Sequence, residues 1–213
     1  MIVAIDGPAA AGKGTLARRL ARHFDFAFLD TGLLYRATAL HLARAAGAAD
    51  DWAAAEAAAL RVTAADLADP ELRAETIAQL ASAVAAVPPV RAALLRFQRD
   101  FAASPPGGKA GAVLDGRDIG TVVCPDADAK LYVTASVEAR AERRLKELRD
   151  AGVEAIYLRV LQDMKDRDAR DSQRRTAPLR AADDALVLDT TELDVEAAFA
   201  AARDYVASKF GAR

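Results

Sequence analysis

The chain opens Met1-Ile2-Val3-Ala4-Ile5-Asp6 and runs straight into Gly7-Pro8-Ala9-Ala10-Ala11-Gly12-Lys13-Gly14-Thr15, after which Leu16, Leu20 and Phe24 recur at helical spacing. No other stretch restricts the fold as much. A short apolar run, a glycine-rich turn and an amphipathic helix make a strand–loop–helix unit. Its loop backbone can curl N–H groups around an anion, with the positive end of the helix behind them. Lys13 is placed to reach the outer phosphates of a nucleotide, and Thr15 to assist at the phosphates or at Mg²⁺.

Four further apolar runs resemble the first: Phe26–Asp30, Gly111–Asp115, Ala129–Thr134 and Ala185–Asp189. Each is near-continuous rather than alternating, as expected of a parallel sheet covered on both faces. Between them lie helical patterns, with Val137, Ala141, Leu145 and Leu148 on one face and Val195, Phe199, Ala202 and Val206 on another. This alternation predicts an α/β three-layer sandwich around a five-stranded parallel sheet with right-handed crossovers. Residues 33–103 break the rhythm. They are almost wholly helical in pattern, with Pro88-Pro89 opening one helix, and read as a helical insertion. The core is then 1–32 together with 104–213.

Composition limits the partners. The 29 basic and 31 acidic residues nearly cancel, so there is no electrostatic footprint for nucleic acid or an anionic membrane. The single cysteine, Cys124, cannot form an internal disulfide, and two histidines, His23 and His41, make a His-based metal site untenable. No segment approaches the ~20 apolar residues of a membrane span. A cytoplasmic protein acting on small molecules is expected, with no nucleic-acid or membrane partner.

Three further clusters carry chemistry. Leu29-Asp30-Thr31-Gly32-Leu33-Leu34-Tyr35-Arg36 lies at the carboxyl end of the second strand, where ligands bind in open α/β sheets. Arg36 could fork onto a phosphate there. Asp115-Gly116-Arg117-Asp118-Ile119-Gly120 ends the third strand. In it Asp115 could orient water on Mg²⁺, Arg117 neutralise phosphate and Asp118 accept from an amino group. Arg167, Arg170, Asp171 and Arg174 fall along one helical face and offer the positive charge that phosphoryl transfer requires. The charged stretch Arg143–Val153, broken by Ala151-Gly152, is the expected lid.

The Gly-Lys-Gly-Thr form, with Gly14 where many nucleotide loops carry Ser or Thr, resembles that of nucleoside monophosphate kinases. Together, Ile5–Thr15, Leu29–Arg36, Ala81–Arg99, Asp115–Pro125, Arg167–Leu179 and Ala182–Thr190 resemble bacterial cytidylate kinases in order and over nearly the whole chain. The resemblance implies a P-loop kinase core, a nucleoside-monophosphate-binding insertion at 33–103, a short lid at about 143–175, and a monomer. It implies transfer of the γ-phosphoryl group of ATP to CMP or dCMP, with Mg²⁺. By position, Gly7, Pro8, Ala9, Ala10, Ala11, Gly12, Lys13, Gly14 and Thr15 would hold the ATP phosphates. Thr31, Arg36, Arg117 and Arg174 would surround the CMP phosphate. Ser82, Arg91 and Asp118 would read cytosine, while Arg167 and Asp171 would contact the ribose. Lys13, Arg117, Arg167 and Arg174 would stabilise the transferring group, and Thr15 and Asp115 would serve the metal, Asp115 through water.

Longer members of that family carry a β-rich stretch in the insertion, for which Leu60–Glu75 is too short. Two alternatives stay open: another small-molecule kinase on the same scaffold, such as an adenylate kinase, and a non-catalytic nucleotide-dependent switch. The Asn-Lys-x-Asp pattern by which GTPases read guanine is absent.

Overall fold

A computed structural model describes residues 1–48 and 50–210. The five strands are β1 (Ile2–Asp6), β2 (Ala27–Asp30), β3 (Ala112–Asp115), β4 (Ala129–Thr134) and β5 (Leu186–Asp189). The helices are α1 (Lys13–His23), α2 (Thr31–Arg44), α3 (Trp52–Leu60), α4 (Glu75–Val84), α5 (Pro88–Ala103), α6 (Val137–Asp150), α7 (Tyr157–Gln173) and α8 (Val195–Ser208). The sheet is parallel in the order β2-β3-β1-β4-β5, with Ile5 opposite both Asp115 and Leu131. The expected strands are all present, and three begin one residue later than the apolar pattern predicts.

The chain divides into two compact units: Met1–Phe28 with Pro105–Arg213, and Leu29–Ser104. In the first, Val3, Ile5, Val113, Leu131 and Val133 are buried from the sheet, and Leu16, Leu20, Ala202 and Val206 close over them from α1 and α8. β5 departs from the buried-strand expectation: it lies at the edge of the sheet, and Val187 is 58% exposed. In the second unit α2 packs on α3 and α4, and α5 on α3. The alanine richness of α3 places Ala55, Ala58 and Ala59 in the interior, where small side chains allow close helix approach. Residues 65–68 and 70–73 form two 3₁₀ turns, consistent with the short Leu60–Glu75 stretch.

Candidate active site

The phosphate loop is shaped by close approach. Gly7 has φ 145°, and a Cβ there would stand 1.9 Å from the Val133 carbonyl oxygen, so only glycine fits. Gly12, in the left-handed region at φ 90°, caps α1, leaving the helix's first N–H groups facing the loop. Lys13 is buried, and its Nζ donates to the Pro8 carbonyl at 2.7 Å. The lysine therefore curls over the loop, and its stem packs beside Gly7. Thr15 is exposed in the first turn of α1. At Gly14 a Cβ would lie 3.3 Å from Asp115 Oδ2, so the absence of a side chain lets the buried Asp115 carboxylate come against the loop.

The segment after β3 contains a π-helical turn, Ile119–Val123, with Asp118 at its N-cap. The turn is pinned from β1: the Ile119 and Gly120 N–H groups each donate to the Asp6 carboxylate at 2.7 Å. Burial raises the Asp6 pKa to about 7, with the two backbone donors and Lys13 opposing the rise and nearby Asp118 adding to it. Asp118 is itself 5% exposed.

Arg117, just before that turn, donates from Nε to Asp171 Oδ2 on α7 at 3.0 Å. The two residues are 54 apart in sequence. Burial of Asp171 works to raise its pKa, but the guanidinium groups of Arg117, Arg174 and Arg167 outweigh it and hold the carboxyl below the usual range. Arg174 falls just past the helix, as the residue that caps α7. Arg117, Arg167, Asp171 and Arg174 therefore form one electrostatic cluster in the core unit. Arg170 is outside it: exposed, and turned back to the Asp166 carbonyl.

In the second unit, Asp30 caps α2 by accepting from Gly32 N–H, and Thr31 is buried in the first turn. Arg36 donates to the Leu72 carbonyl at 2.6 Å. Arg91, 8% exposed, donates to the Ala85 carbonyl and stands over the Tyr35 ring at 5.6 Å. The Ser82 hydroxyl on α4 is buried without a hydrogen-bond partner, an expensive state for a polar atom unless a ligand completes it. Gln98, on the same helix as Arg91, donates from Nε2 to the Leu94 carbonyl at 3.1 Å.

Residues 3–207 match the family model described as cytidylate kinase. The chain belongs to the cytidylate kinase family. A relative from Paramagnetospirillum magneticum named cytidylate kinase is 64% identical over 208 residues, covering 98% of each chain. One of the same name from Rhodospirillum rubrum is 56% identical, again over 98% of each. Among solved structures, an uncharacterised protein from Eubacterium ventriosum superposes with a TM-score of 0.53 at 13% identity, over 100% of this chain and 99% of that one, a likeness of fold only.

Sequence reasoning did not single out Asp6, Arg140, Asp168 or Thr190, although each supports the loop or the turn beside it. Thr190 is buried after β5, with its Oγ1 3.1 Å from the carbonyls of Ala11 and Thr134. Arg143 donates to both the hydroxyl and the carbonyl of Thr190. The one linear signal for Asp6 is an acidic residue closing an otherwise apolar strand.

Proposed function

We infer that the protein is an ATP-dependent cytidylate kinase: it transfers the γ-phosphoryl group of ATP to CMP or dCMP, giving ADP and CDP or dCDP. The observation that carries this reading is the family match along residues 3–207, with a relative of that name covering 98% of each sequence. The geometry supports it. A lysine-bearing anion loop and an arginine cluster are the two charge reservoirs such a transfer needs.

In the step itself a CMP phosphate oxygen attacks the γ-phosphorus in line. The new P–O bond forms as the bond to the β,γ-bridging oxygen breaks, and ADP leaves with that electron pair. No side chain becomes covalently bound. Gly7–Thr15 orient the donor phosphates, and Lys13 leaves the Pro8 carbonyl to follow the charge on the outer phosphates. Arg117, Arg167 and Arg174 neutralise the transferring group and acceptor phosphate, with Asp171 fixing the guanidinium planes and meeting the ribose. Thr31 and, from the insertion, Arg36 are assigned to the CMP phosphate, and Ser82 and Arg91 of the insertion to cytosine. Asp118 accepts from the N4 amino group.

Among the described residues no group of three or more His, Cys, Asp or Glu side chains is gathered for a metal. The Thr15 hydroxyl and the Asp115 carboxylate offer the kind of oxygen donors that suit Mg²⁺, which keeps several waters and relies on substrate phosphates with one or two protein oxygens. Thr15 and, through water, Asp115 would hold it, and when bound it would supply charge to the β- and γ-oxygens. The lid in this reading falls within about 143–175, with Arg143–Val153 as the part that moves. It contains a break, since α6 stops at Asp150 and Gly152 has φ 75°. A cytoplasmic monomer completes the reading, in keeping with the balanced charge and lone cysteine.

A coupled assay with ATP against CMP, dCMP, UMP and AMP tests it. CMP and dCMP should be turned over, with UMP about tenfold to several hundredfold poorer in kcat/KM. Preference for AMP would overturn the acceptor, and no turnover with any acceptor would favour the binding switch.

A further inference from the structure

One side chain joins the phosphate loop to α7. Arg140, in the first turn of α6, is only 4% exposed. Its Nε donates to the Ala135 carbonyl beyond β4 at 2.9 Å, and its Nη1 to the Ala9 carbonyl of the phosphate loop at 3.3 Å. Nη1 and Nη2 also grip both oxygens of Asp168 on α7, at 3.1 and 2.6 Å. A planar fork with several fixed donors can serve three segments at once, which a lysine cannot do. Around it lies a small apolar layer in which Val160 and Met164 of α7 and Ala141 of α6 meet Ala9 and Ala10 of the loop.

Asp168 follows Arg167 directly and precedes Asp171 by three residues, so whatever fixes Asp168 fixes the row beside it. Arg140 is buried and the Asp168 side chain is 26% exposed, and such a pair adds little net stability, because desolvation of the guanidinium offsets the attraction. What this pair does supply is a defined distance between the loop and α7. Phosphoryl transfer is sensitive to such distances, since a misplacement of about 1 Å can cost 10²-fold in rate.

We propose that Arg140 is a positioning residue for the transfer. It holds α7, and with it Arg167, Asp171 and Arg174, at a fixed place relative to the loop that carries the donor phosphates. The proposal rests on the reading of α7's arginines as part of the machinery. Asp168 is the second half of the device and needs no contact with either nucleotide.

The test compares Arg140→Lys, Asp168→Asn and the double variant Arg140→Met/Asp168→Met with wild type, and uses Arg174→Ala as reference. Steady-state kinetics are run well below each melting temperature, and melting is recorded alongside. Each of the three variants should lose roughly tenfold to a hundredfold in kcat. KM for ATP should move by less than about threefold, because Gly7, Gly12 and the Thr190 tie still shape the loop that binds the phosphates. The double variant should melt within a few degrees of wild type, since apolar replacement of both partners of a largely desolvated pair is tolerated. It thus separates positioning from folding. A double variant with near wild-type kcat overturns the proposal, as do single variants that melt lower yet keep their kcat. If Arg174→Ala is severely impaired while the Arg140 and Asp168 variants are not, the positioning role falls and the role of the arginine row stands. If Arg174→Ala itself turns over normally, the reading of the row falls and takes the proposal with it.

Discussion

The phosphate loop and the helical insertion are held in different ways. In the loop the decisive groups are backbone: the approach of Gly7 to the Val133 carbonyl, the left-handed Gly12, and carbonyls tied down by Arg140 and by Thr190. In the insertion the polar residues are side chains resting on local carbonyls, Arg36 on Leu72 and Arg91 on Ala85, with the Ser82 hydroxyl unsatisfied. A backbone site is complete before its ligand arrives and suits phosphate, which every nucleotide carries. A side-chain site must exchange internal partners for the ligand, and that exchange is where one base can be told from another. The loop should therefore govern rate for any acceptor, and the side chains should govern choice among acceptors.

The largest effect expected from this contrast is at Lys13. Replacement by methionine keeps the stem that packs beside Gly7 and removes only the charge. We expect kcat to fall by about 10²-fold or more, as for other lost transition-state donors. The loss should be equal for CMP and UMP. Because the Pro8 carbonyl loses its buried partner, a lower melting temperature should accompany it. Lys13 is 5% exposed, and that burial is why methionine rather than alanine is the sharper probe. A loss confined to one base would break the division between rate and choice.

A smaller and opposite pattern is expected at Asp118. It lies in the core unit rather than the insertion, so it asks whether choice follows side chains wherever they stand. Cytosine offers an amino donor at N4, whereas uracil offers an oxygen that faces a carboxylate repulsively. An unpaired polar group in a closed site costs roughly 1–3 kcal/mol, which corresponds to about tenfold to several hundredfold between bases. Asp118→Asn should narrow that gap, because an amide can turn its NH₂ toward O4. Arg91→Ala should weaken both pyrimidines alike, since both present O2. Equal loss of CMP and UMP turnover in Asp118→Asn would show that the carboxylate does not read the base.

What the sequence disclosed follows the same division. Gly7–Thr15 is contiguous, so a linear reading can recognise it, and the β-strands show as apolar runs because both faces of a parallel sheet are covered. The contacts that organise the rest are not local. Arg117 and Asp171 meet across 54 residues, and only the family resemblance suggested that both belong to one site. Arg140 sits in α6 among Glu142, Arg143, Arg144 and Lys146, a composition indistinguishable from a solvated helix face. Its burial is set by the loop and α7 packing on it, which no periodicity records. Arg174 shows the converse limit: helical spacing placed it on the face of α7, yet the helix ends one residue earlier.

The smallest expected effect concerns Asp6, where backbone geometry and burial act on one carboxyl group. Two N–H donors at 2.7 Å favour its charged form, while burial, helped by Asp118, opposes it and sets the pKa at about 7. In the unfolded chain the same group titrates near 3.8. Between these values the folded state binds a proton that the unfolded state does not, so this contribution to stability is fully present below about pH 4 and is lost as pH rises through about 7. Asp6→Asn keeps one acceptor for the turn and removes the titration. Melting of both proteins without nucleotide, at pH 5 and at pH 8, isolates the term because the other carboxyl groups are common to both. The margin of wild type over Asp6→Asn should shrink by at least roughly 2–4 °C at pH 8, the shift expected for about 1 kcal/mol in a protein of this size. A margin that is constant, or larger at pH 8, would mean the carboxylate stays ionised throughout, with the Ile119 and Gly120 donors prevailing over burial. The turn that presents Asp118 would then be held by a permanent charge, as rigid before substrate binding as the phosphate loop beside it, and the contrast between the two ways of building a site would apply to the insertion alone.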